Sequence, residues 1–431
     1  MKRTIQVEEK LPILETIPLA FQHLFAMFGA TVLVPFLFKV NPATSLFMNG
    51  IGTLIYLTVS RGKIPAYLGS SFAFIAPVMS IMADPTLHGY SSAQGGFIFF
   101  GIFFIIVSQI VRKVGTSWID VIFPPAAMGA IVAVIGLELA PVAVEMAGFT
   151  SKVAESGLPL HYGMLVSTFT LVVIILGSIC FRGFFAVIPV LVGVVAGYIL
   201  SIFLGVVNFS AVSAAAWFEV PTFYAPEFKF SAILMIMPAA LVVLAEHIGH
   251  LVVTGNVVER DLIKDPGLSR SLLGDGLSNI LSGFVGATPN TTYGENIGVM
   301  ALTRVFSVWV IGSAAILAIV ISFIGKFAAL IRSIPVPVMG GVCILLFGVI
   351  AAAGIRMLIE KKVDYTQPKN LILTSVVLIA GVGGAAIKFG AIEIKGMALG
   401  TVISITLSLV FLILEKYGLL NDTQASTENT N

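Results

Sequence analysis

Apolar stretches without a charged side chain recur along almost the whole chain, and they constrain its fold more than any other feature. Residues 163–180 and 305–325 are two examples, each close to the roughly 20 apolar residues that a helix needs to cross a bilayer. Hydrophobic residues make up 58% of the 431 residues and charged residues 11%, a balance that a single water-soluble core could not bury. The composition excludes a disordered, collagenous or nucleic-acid-binding protein and predicts an all-α polytopic membrane protein.

Fourteen candidate spans meet this criterion along the chain. Three of them, 66–82, 270–287 and 290–303, are short or rich in Gly, Pro, Ser and Asn. If the N-terminus is cytoplasmic, most of the 24 Lys and Arg residues fall in cytoplasmic loops, as the positive-inside rule requires. This bias predicts an even number of spans with both termini in the cytoplasm. The polar tail, 419–431, is expected to be disordered.

Two of the weak spans are flawed at the same place in the two halves of the chain. Fourteen spans divide into seven plus seven, and an odd-numbered repeat must have inverted topology. Span 3 reads AYLGSSFAFIAPVMSIM, and span 10, the third of the second half, reads ATPNTTYGENIGVMALT. Both patterns predict a short extended segment followed by a half-helix, which is tolerated at membrane depth beside a cavity. Ordinary Gly-rich helices or re-entrant loops without a ligand remain the alternative.

Ionisable side chains in the eighth span indicate a polar centre. The stretch 231–258 contains no Lys or Arg, yet it carries Glu246, His247 and His250. A carboxylate at that depth costs at least about 2.5 kcal/mol, so it should face the protein interior. Glu246 and His250 share a helix face, whereas His247 is turned about 100° away and is expected to pack against another helix. The zinc pattern His-Glu-x-x-His is absent, so we predict no metal site.

Glu295 is the second acidic candidate, because it opens the presumed half-helix of span 10. A helix N-terminus favours a carboxylate, so Glu295 is either a capping group or a ligand of the central site. His23 lies beside Gln22 in the first span and either lines the site or packs through a hydrogen bond. Phe72 and Tyr293 flank the two breaks and are placed to cover the face of a ring.

Carboxylates and extended backbone together offer hydrogen-bond acceptors and N–H donors. They suit a small, neutral, planar amide such as a nucleobase, although an amino acid or a sugar is not excluded. Burial disfavours the charged form of both a carboxyl and an imidazole, so Glu246 and His250 are predicted to exchange a proton near neutral pH. We predict no cofactor other than this coupling proton. An ion or anion channel and a membrane enzyme are the alternatives from other classes, although neither a basic ring across the spans nor a nucleophile beside a base is evident.

Several motifs resemble the nucleobase–ascorbate transporter family. The run PNTTYGENIGVMALTR at 289–304 contains Glu-Asn-x-Gly-x4-Thr-Arg, which is similar to the family signature. The Gln22-His23 pair and the Ala-Glu-His run at 245–247 resemble further family features. Segments such as GKIPAYLGSSFAFIAP and AEHIGHLVVTGNVV are similar to the bacterial uracil-transporting members, and the resemblance runs from about residue 13 to 415.

The resemblance implies proton-coupled uracil uptake across the bacterial inner (plasma) membrane by a homodimer embedded in membrane lipid, with xanthine or another purine as the alternative cargo. It implies that Glu246 and Glu295 bind the substrate, that backbone amides at Phe72 and Gly294 complete the hydrogen bonding, and that His250, with Glu246, couples the proton. We predict that Tyr293, His23 and Ala30 line the same site. The implied organisation is a core domain at 1–114 and 231–326, a gate domain at 115–230 and 327–418, and a tail at 419–431.

Overall fold

The structure, a computed structural model, describes residues 4–150, 160–389 and 392–420, and helices dominate this part of the chain. Most of the predicted disordered tail, residues 421–431, lies outside the described residues. The elements of the first half are α1 (Ile13–Ala26), α2 (Phe28–Leu37), α3 (Pro42–Val59), strand β1 (Leu68–Ser70), α4 (Ile75–Ala83), α5 (Tyr90–Val114), α6 (Ser117–Ile122), α7 (Pro125–Glu138), α8 (Ala140–Met146), α9 (Leu160–Cys180) and α10 (Pro189–Phe203).

The second half repeats this pattern of helices with a short strand in its third span, and it adds a strand pair before its last helix. Its elements are α11 (Ser210–Ala214), α12 (Phe230–Val258), α13 (Leu268–Val285), strand β2 (Asn290–Thr292), α14 (Gly294–Thr303), α15 (Val308–Ser322), α16 (Gly325–Arg332), α17 (Val336–Glu360), α18 (Pro368–Val382), strands β3 (Ala386–Phe389) and β4 (Ile392–Lys395), and α19 (Gly396–Lys416). Short 3₁₀ turns at Phe72–Phe74 and Phe185–Val187 precede α4 and α10.

Local sequence signals explain where several helices begin. Asn41 caps α3, because its side chain accepts a hydrogen bond from the Ala43 N–H at 3.0 Å and Pro42 follows it. Ser307 caps α15 in the same way and accepts from the Trp309 N–H at 3.3 Å. A proline also stands at the start of α7, α10 and α18, where its missing N–H costs no hydrogen bond.

The membrane spans differ in how they cross the bundle. Six spans of the described chain are long and apolar enough to cross a membrane as one element: α5, the pair α7 and α8, α9, α12, α17 and α19. The first span is a bent pair, because α1 and α2 meet at Met27 with a 40° change of direction. The helices α10, α15 and α18 are shorter but apolar, and β1 and β2 interrupt the two broken spans. The helices α3 and α13 are less apolar, since small and polar side chains such as Gly52 and Ser278 meet between them.

The spans pack as two groups. The core group contains α1–α5 and α12–α15, in which α5 packs against α13 and α3 against α15. The gate group contains α7–α10 and α17–α19, in which α7 packs against α17 and α9 against α10. Glycines allow the closest crossings: a Cβ on Gly101 of α5 would lie 2.6 Å from the Gly276 carbonyl of α13. Gly354 of α17 meets the backbone of Gly129 on α7 in the same manner, so both groups are rigidly packed.

Two faces of the bundle can be distinguished by their loops. On the N-terminal face, the Ile5 N–H donates to the Arg304 carbonyl at 2.9 Å, and Glu8 forms an ion pair with Arg260. On the opposite face, the Asn41 N–H donates to the Tyr224 hydroxyl at 3.1 Å. The short helices α11 and α16 contact each other and connect the two groups near this opposite face.

An antiparallel hairpin between α18 and α19 was not predicted. Strands β3 and β4 pair with Lys388 opposite Glu393, whose charged groups lie 3.6 Å apart. The alternating apolar and charged residues of IKF and IEIK favour this strand conformation, since successive side chains point to opposite faces. The search for apolar runs of helical length did not detect so short a pattern.

Candidate functional site

The two flawed spans meet inside the bundle as a pair of short strands. β1 and β2 pair antiparallel, with Leu68 opposite Thr292 and Ser70 opposite Asn290, and all six strand residues are buried. The antiparallel direction is what two inverted repeats require, because their third spans cross the membrane in opposite senses. The prediction of extended segments in spans 3 and 10 is confirmed, and the pairing satisfies backbone groups that hydrocarbon could not.

Each strand leads into the N-terminus of a half-helix. Ser71 donates its N–H to the Pro289 carbonyl at 2.8 Å, after which the 3₁₀ turn at Phe72–Phe74 begins. Tyr293 donates its N–H to the Tyr67 carbonyl at 3.1 Å, after which α14 begins at Gly294. The first N–H groups of a helix have no acceptor within that helix, so both breaks present free donors and the positive end of a helix dipole.

The middle of α12 packs directly on the second break. His250 Nδ1 lies 3.2 Å from the Thr292 hydroxyl, and its Nε2 would lie 3.3 Å from a Cβ on Gly294. Glu246 is half-buried one turn earlier on the same helix face. The structure therefore brings His250 and Gly294 together, and Glu246 shares the helix face of His250, as the i, i+4 spacing predicted.

Glu295 lies in the first turn of α14, directly after Gly294, the residue that faces the His250 ring. Glu295 itself is exposed. Apart from its chain neighbours and the backbone of its own helix, no described heavy atom lies within 4 Å of the Cβ position of Gly298, one turn along the same helix. Open space also adjoins Gly348 of α17 in the described chain.

The two aromatic residues beside the breaks have different surroundings. Tyr293 is 4% exposed, and its hydroxyl donates to the Ser70 carbonyl at 2.7 Å, so it holds one break against the other. Phe72 is half-buried, and its ring lies edge-on to Phe347 of α17 with 6.1 Å between the ring centroids. Phe72 is thus the aromatic side chain through which the first break contacts the gate group.

His23 and Ala30, also predicted to line the site, are both buried by other parts of the chain. His23 is 1% exposed, and its carbonyl accepts a hydrogen bond from the Asn296 side chain at 3.2 Å. Ala30 is 2% exposed. The residue before it, Gly29, faces the side chains of Val190 and Leu346 of the gate group. His23 thus attaches α1 to α14, while Ala30 lies where α2 meets the gate group.

A buried polar chain behind the site was only partly anticipated. His247 Nδ1 lies 2.9 Å from an Asp275 carboxylate oxygen, so His247 packs against α13 as its helical position indicated. Asn279 donates to the other Asp275 oxygen at 2.9 Å and to the Asn290 carbonyl at 3.0 Å, and it accepts from the Asn290 N–H at 2.6 Å. The i, i+4 spacing of Asp275 and Asn279 was visible in the sequence, but their connection to β2 was not.

Side chains on α3 also anchor the strands. Thr53 accepts a hydrogen bond from the Leu68 N–H at 2.9 Å, and Ser45 accepts one from the Thr288 hydroxyl at 3.1 Å. Thr288 in turn contacts the Ser70 hydroxyl at 2.6 Å. These residues were missed because isolated Ser and Thr side chains within an apolar span carry no distinguishing pattern.

Comparisons with known proteins agree with this architecture. The chain is 60% identical over 415 residues to the uracil permease of Paenibacillus larvae, covering 96% of this chain and 98% of the relative. It is 61% identical over 410 residues to the uracil permease of Escherichia coli strain K12, covering 95% and 94%.

Solved structures show the fold. The transmembrane domain of the cyanobacterial bicarbonate transporter BicA is 15% identical with a TM-score of 0.65, covering 94% of this chain and all of that domain. The structure of SLC26A9 is 11% identical with a TM-score of 0.67, covering 94% of this chain and 66% of the other. These likenesses confirm the fold of two inverted seven-span repeats with core and gate parts.

A family model described as the Permease family matches residues 14–389. The match confirms the resemblance to nucleobase–ascorbate transporters and covers both broken spans and α12. A permease moves its solute without altering it, so the acidic residues at the breaks have no enzymatic role to fill. The chain therefore belongs to the Permease family of multi-pass bacterial membrane transporters.

Proposed function

We propose that this protein imports uracil by proton symport, with the site at the paired breaks as the binding site. The observation that carries the proposal is the meeting of two helix N-termini at the paired breaks with the face of α12 that carries Glu246 and His250. The two relatives named uracil permease, at 60% and 61% identity over almost the whole chain, support uracil as the substrate.

Uracil is complementary to such a site because its edge alternates carbonyl acceptors with N–H donors. The free N–H groups at Phe72 and Gly294 would donate to the carbonyl groups of the ring. Glu246 and Glu295 would accept from the ring N–H groups, and hydrogen bonds to charged groups are stronger than neutral ones. Phe72, already in contact with the gate group through Phe347, would cover one side of the ring when the two groups close.

Proton coupling is assigned to His250 and Glu246, which share one face of α12. His250 contacts both Thr292 and Gly294, so its protonation would place a positive charge directly beside the second break. One proton moving with one neutral solute gains about 2.3 kcal/mol per 100 mV, equivalent to a concentration ratio of roughly 50-fold.

Substitution of this histidine separates coupling from binding. We expect His250→Ala to reduce the accumulation ratio about tenfold or more while changing equilibrium uracil affinity less, because the carboxyl groups and backbone donors are retained. Unchanged uphill uptake by this variant would remove His250 from the coupling mechanism.

Alternating access would follow from movement of the core against the gate. In this proposal the core comprises 1–114 and 231–326 and the gate 115–230 and 327–418. The N-terminal face would be cytoplasmic, since the positive-inside bias places most Lys and Arg residues there. Glu295 and Gly298 are exposed on α14, which runs from the break toward Arg304 on this face, so the described conformation would be open to the cytoplasm. A homodimer in the lipid bilayer is the proposed assembly.

The direct test uses purified protein in liposomes, with labelled uracil and unlabelled competitor nucleobases added outside. We expect saturable uptake that an inward proton gradient increases, that a protonophore collapses, and that unlabelled uracil displaces better than xanthine. Stronger displacement by xanthine would reassign the cargo to a purine. Non-saturating flux that ignores the protonophore would instead indicate a channel.

A further inference from the structure

An apolar cavity lies in the core group, separate from the paired breaks. Its volume is about 300 Å³, and it lies between α1, α2, α3, α15 and α16. Its walls are mainly aromatic and aliphatic, including Phe21, Phe28, Leu46 and Phe327. Polar groups contribute little, since the lining hydroxyl of Ser322 already donates to the Ile319 carbonyl at 2.6 Å.

A second cavity of about 200 Å³ continues from the first toward the opposite face of the bundle. The two cavities share Val32, Pro42 and Ile331 in their walls, so they adjoin, and the two together are called the crevice here. The outer end is lined by two cationic side chains, Lys39 and Arg332. The crevice thus has an apolar deep end and a positively charged outer end, its mouth.

Both cations are exposed and lack an acidic partner within the described part of the chain. Neither Lys39 nor Arg332 forms an ion pair or side-chain hydrogen bond with any of the residues that the structure describes. Lys326 on the same helix as Arg332 differs, because its ammonium donates to the Val212 and Ser213 carbonyls at 3.0 and 3.3 Å. Two positive charges therefore remain uncompensated at the mouth of the crevice.

The deep end and the outer end of the crevice would bind different parts of one ligand. Water is unsuited to the deep end, because a buried water needs several polar partners and this lining offers few. An empty apolar space forfeits dispersion contacts, which a flexible hydrocarbon chain from the surrounding bilayer would restore. Paired Lys and Arg side chains at membrane-surface depth attract and hydrogen-bond a phosphate group.

We propose that this crevice binds an anionic phospholipid, with one acyl chain between α1, α15 and α16 and its phosphate between Lys39 and Arg332. The site lies on the opposite face, away from the paired breaks, and does not depend on which solute is transported. The acyl chain fills the space between α16 and the core group, and so it attaches the helix that connects core and gate to the core itself.

Native mass spectrometry of the purified full-length protein, stripped of lipid in detergent, tests the proposal directly. The protein is titrated with phosphatidylglycerol, phosphatidylcholine or inorganic phosphate. We expect at least one phosphatidylglycerol to bind roughly tenfold or more tightly than phosphatidylcholine, because only the former carries a net negative charge. Binding of inorganic phosphate with equal strength would overturn the lipid in favour of a free-anion site.

Charge variants test the mouth of the crevice. The double variant Lys39→Gln with Arg332→Gln should lose phosphatidylglycerol affinity by roughly 30-fold, as two membrane-surface cations do. The matched control is Lys229→Gln with Lys388→Gln, which removes two cations outside the crevice and should bind the lipid like the wild type. Equal affinities for all three proteins would overturn the assignment of the phosphate.

A filling variant tests the deep end. Ala328→Phe places a ring in the cavity while both cations remain, so we expect it to lower phosphatidylglycerol affinity at least several-fold with little change in melting temperature. If the variant instead lost its oligomeric state and kept lipid binding, the crevice would be a contact between copies of the chain. Neither readout involves uracil, so failure of the lipid proposal leaves the proposed function untouched.

Discussion

The two broken spans have the same plan, but they are stabilised and used differently. β2 is held by side chains of its own repeat, because Asn279 bonds both the N–H and the carbonyl of Asn290. β1 is held by Thr53 of α3, which belongs to its own repeat, and by the hydroxyl of Tyr293 from the other repeat. The first break continues into apolar Phe72, whereas the second continues into Glu295. The two repeats thus supply the same backbone geometry. The side chain after the first strand contributes an aromatic ring, whereas the one after the second contributes a carboxyl group.

The largest expected effect concerns the acidic side chains of the site. We expect Glu246→Gln and Glu295→Gln each to weaken uracil binding by roughly 10- to 100-fold or more, since a hydrogen bond to a charged group contributes about 1.5–3 kcal/mol. Binding is measured by isothermal titration or scintillation proximity with purified protein. Glu145→Gln, which neutralises an exposed acid on α8, is the control. Near-normal binding by either variant would exclude that residue from the site.

The anchors of the two strands should differ in strength. Asn279→Ala leaves the Asn290 N–H without its acceptor in a fully buried place, so we expect a loss of about 2–4 kcal/mol in the free energy of unfolding. Thr53→Ala removes the acceptor of the Leu68 N–H and only a long 3.5 Å contact to the Leu68 carbonyl, so it should cost about 1–2 kcal/mol.

Thermal unfolding in detergent compares the two anchor variants, with Thr58→Ala as an exposed control that makes a local helix bond. If Thr53→Ala proved as costly as Asn279→Ala, the two breaks would be equally anchored and the comparison would fail.

Glycines at the two breaks should tolerate a methyl group unequally. A Cβ on Gly69 would collide with the Tyr293 ring, whereas one on Gly294 meets the His250 ring at 3.3 Å. We expect Gly69→Ala to destabilise the protein by about 1–3 kcal/mol, because the strand pair must separate. Gly294→Ala should fold with a smaller loss but transport poorly. Melting temperature and uptake, measured on both variants, would contradict this view if their order were reversed.

The smallest expected effect concerns the ion pair between Glu8 and Arg260, on the N-terminal face beside the end of α14. α14 ends against the N-terminal segment, where the Arg260 guanidinium hydrogen-bonds Glu8 and lowers the pKa of that carboxyl from its ordinary 4.5. A carboxyl with a lowered pKa stabilises the folded state above pH 4.5, and this contribution disappears as the pH falls through the folded-state pKa.

Because the Glu8 pair is largely exposed, Glu8→Gln should cost less than about 1 kcal/mol at pH 7 and nothing in acid. Melting curves of the wild type and of Glu8→Gln between pH 3 and 7 measure this difference. A constant difference across that range would mean that the effect is not electrostatic.

Much of the fold was predictable because a bilayer restricts the choices. Apolar runs of helical length, the loop charges and the two Gly- and Pro-containing flaws were sufficient to predict inverted repeats with extended segments in spans 3 and 10. The β3–β4 hairpin and the bend at Met27 were missed, since neither changes the hydropathy of a window of about 20 residues. The i, i+4 relation of Glu246 and His250 could be predicted because helix geometry alone determines it.

The sequence by itself determined the class of protein, the number of spans and the ionisable residues that lie at membrane depth, because each of these depends on local composition and helical period. The tertiary structure alone decided that β1 pairs with β2, that Asn279 holds Asn290, and that Glu295 is open while His23 is enclosed. Contacts between residues more than 200 positions apart, such as Tyr293 with Ser70, depend on how both repeats pack together. No local pattern encodes that packing, so the shape of the site could be known only from the folded chain.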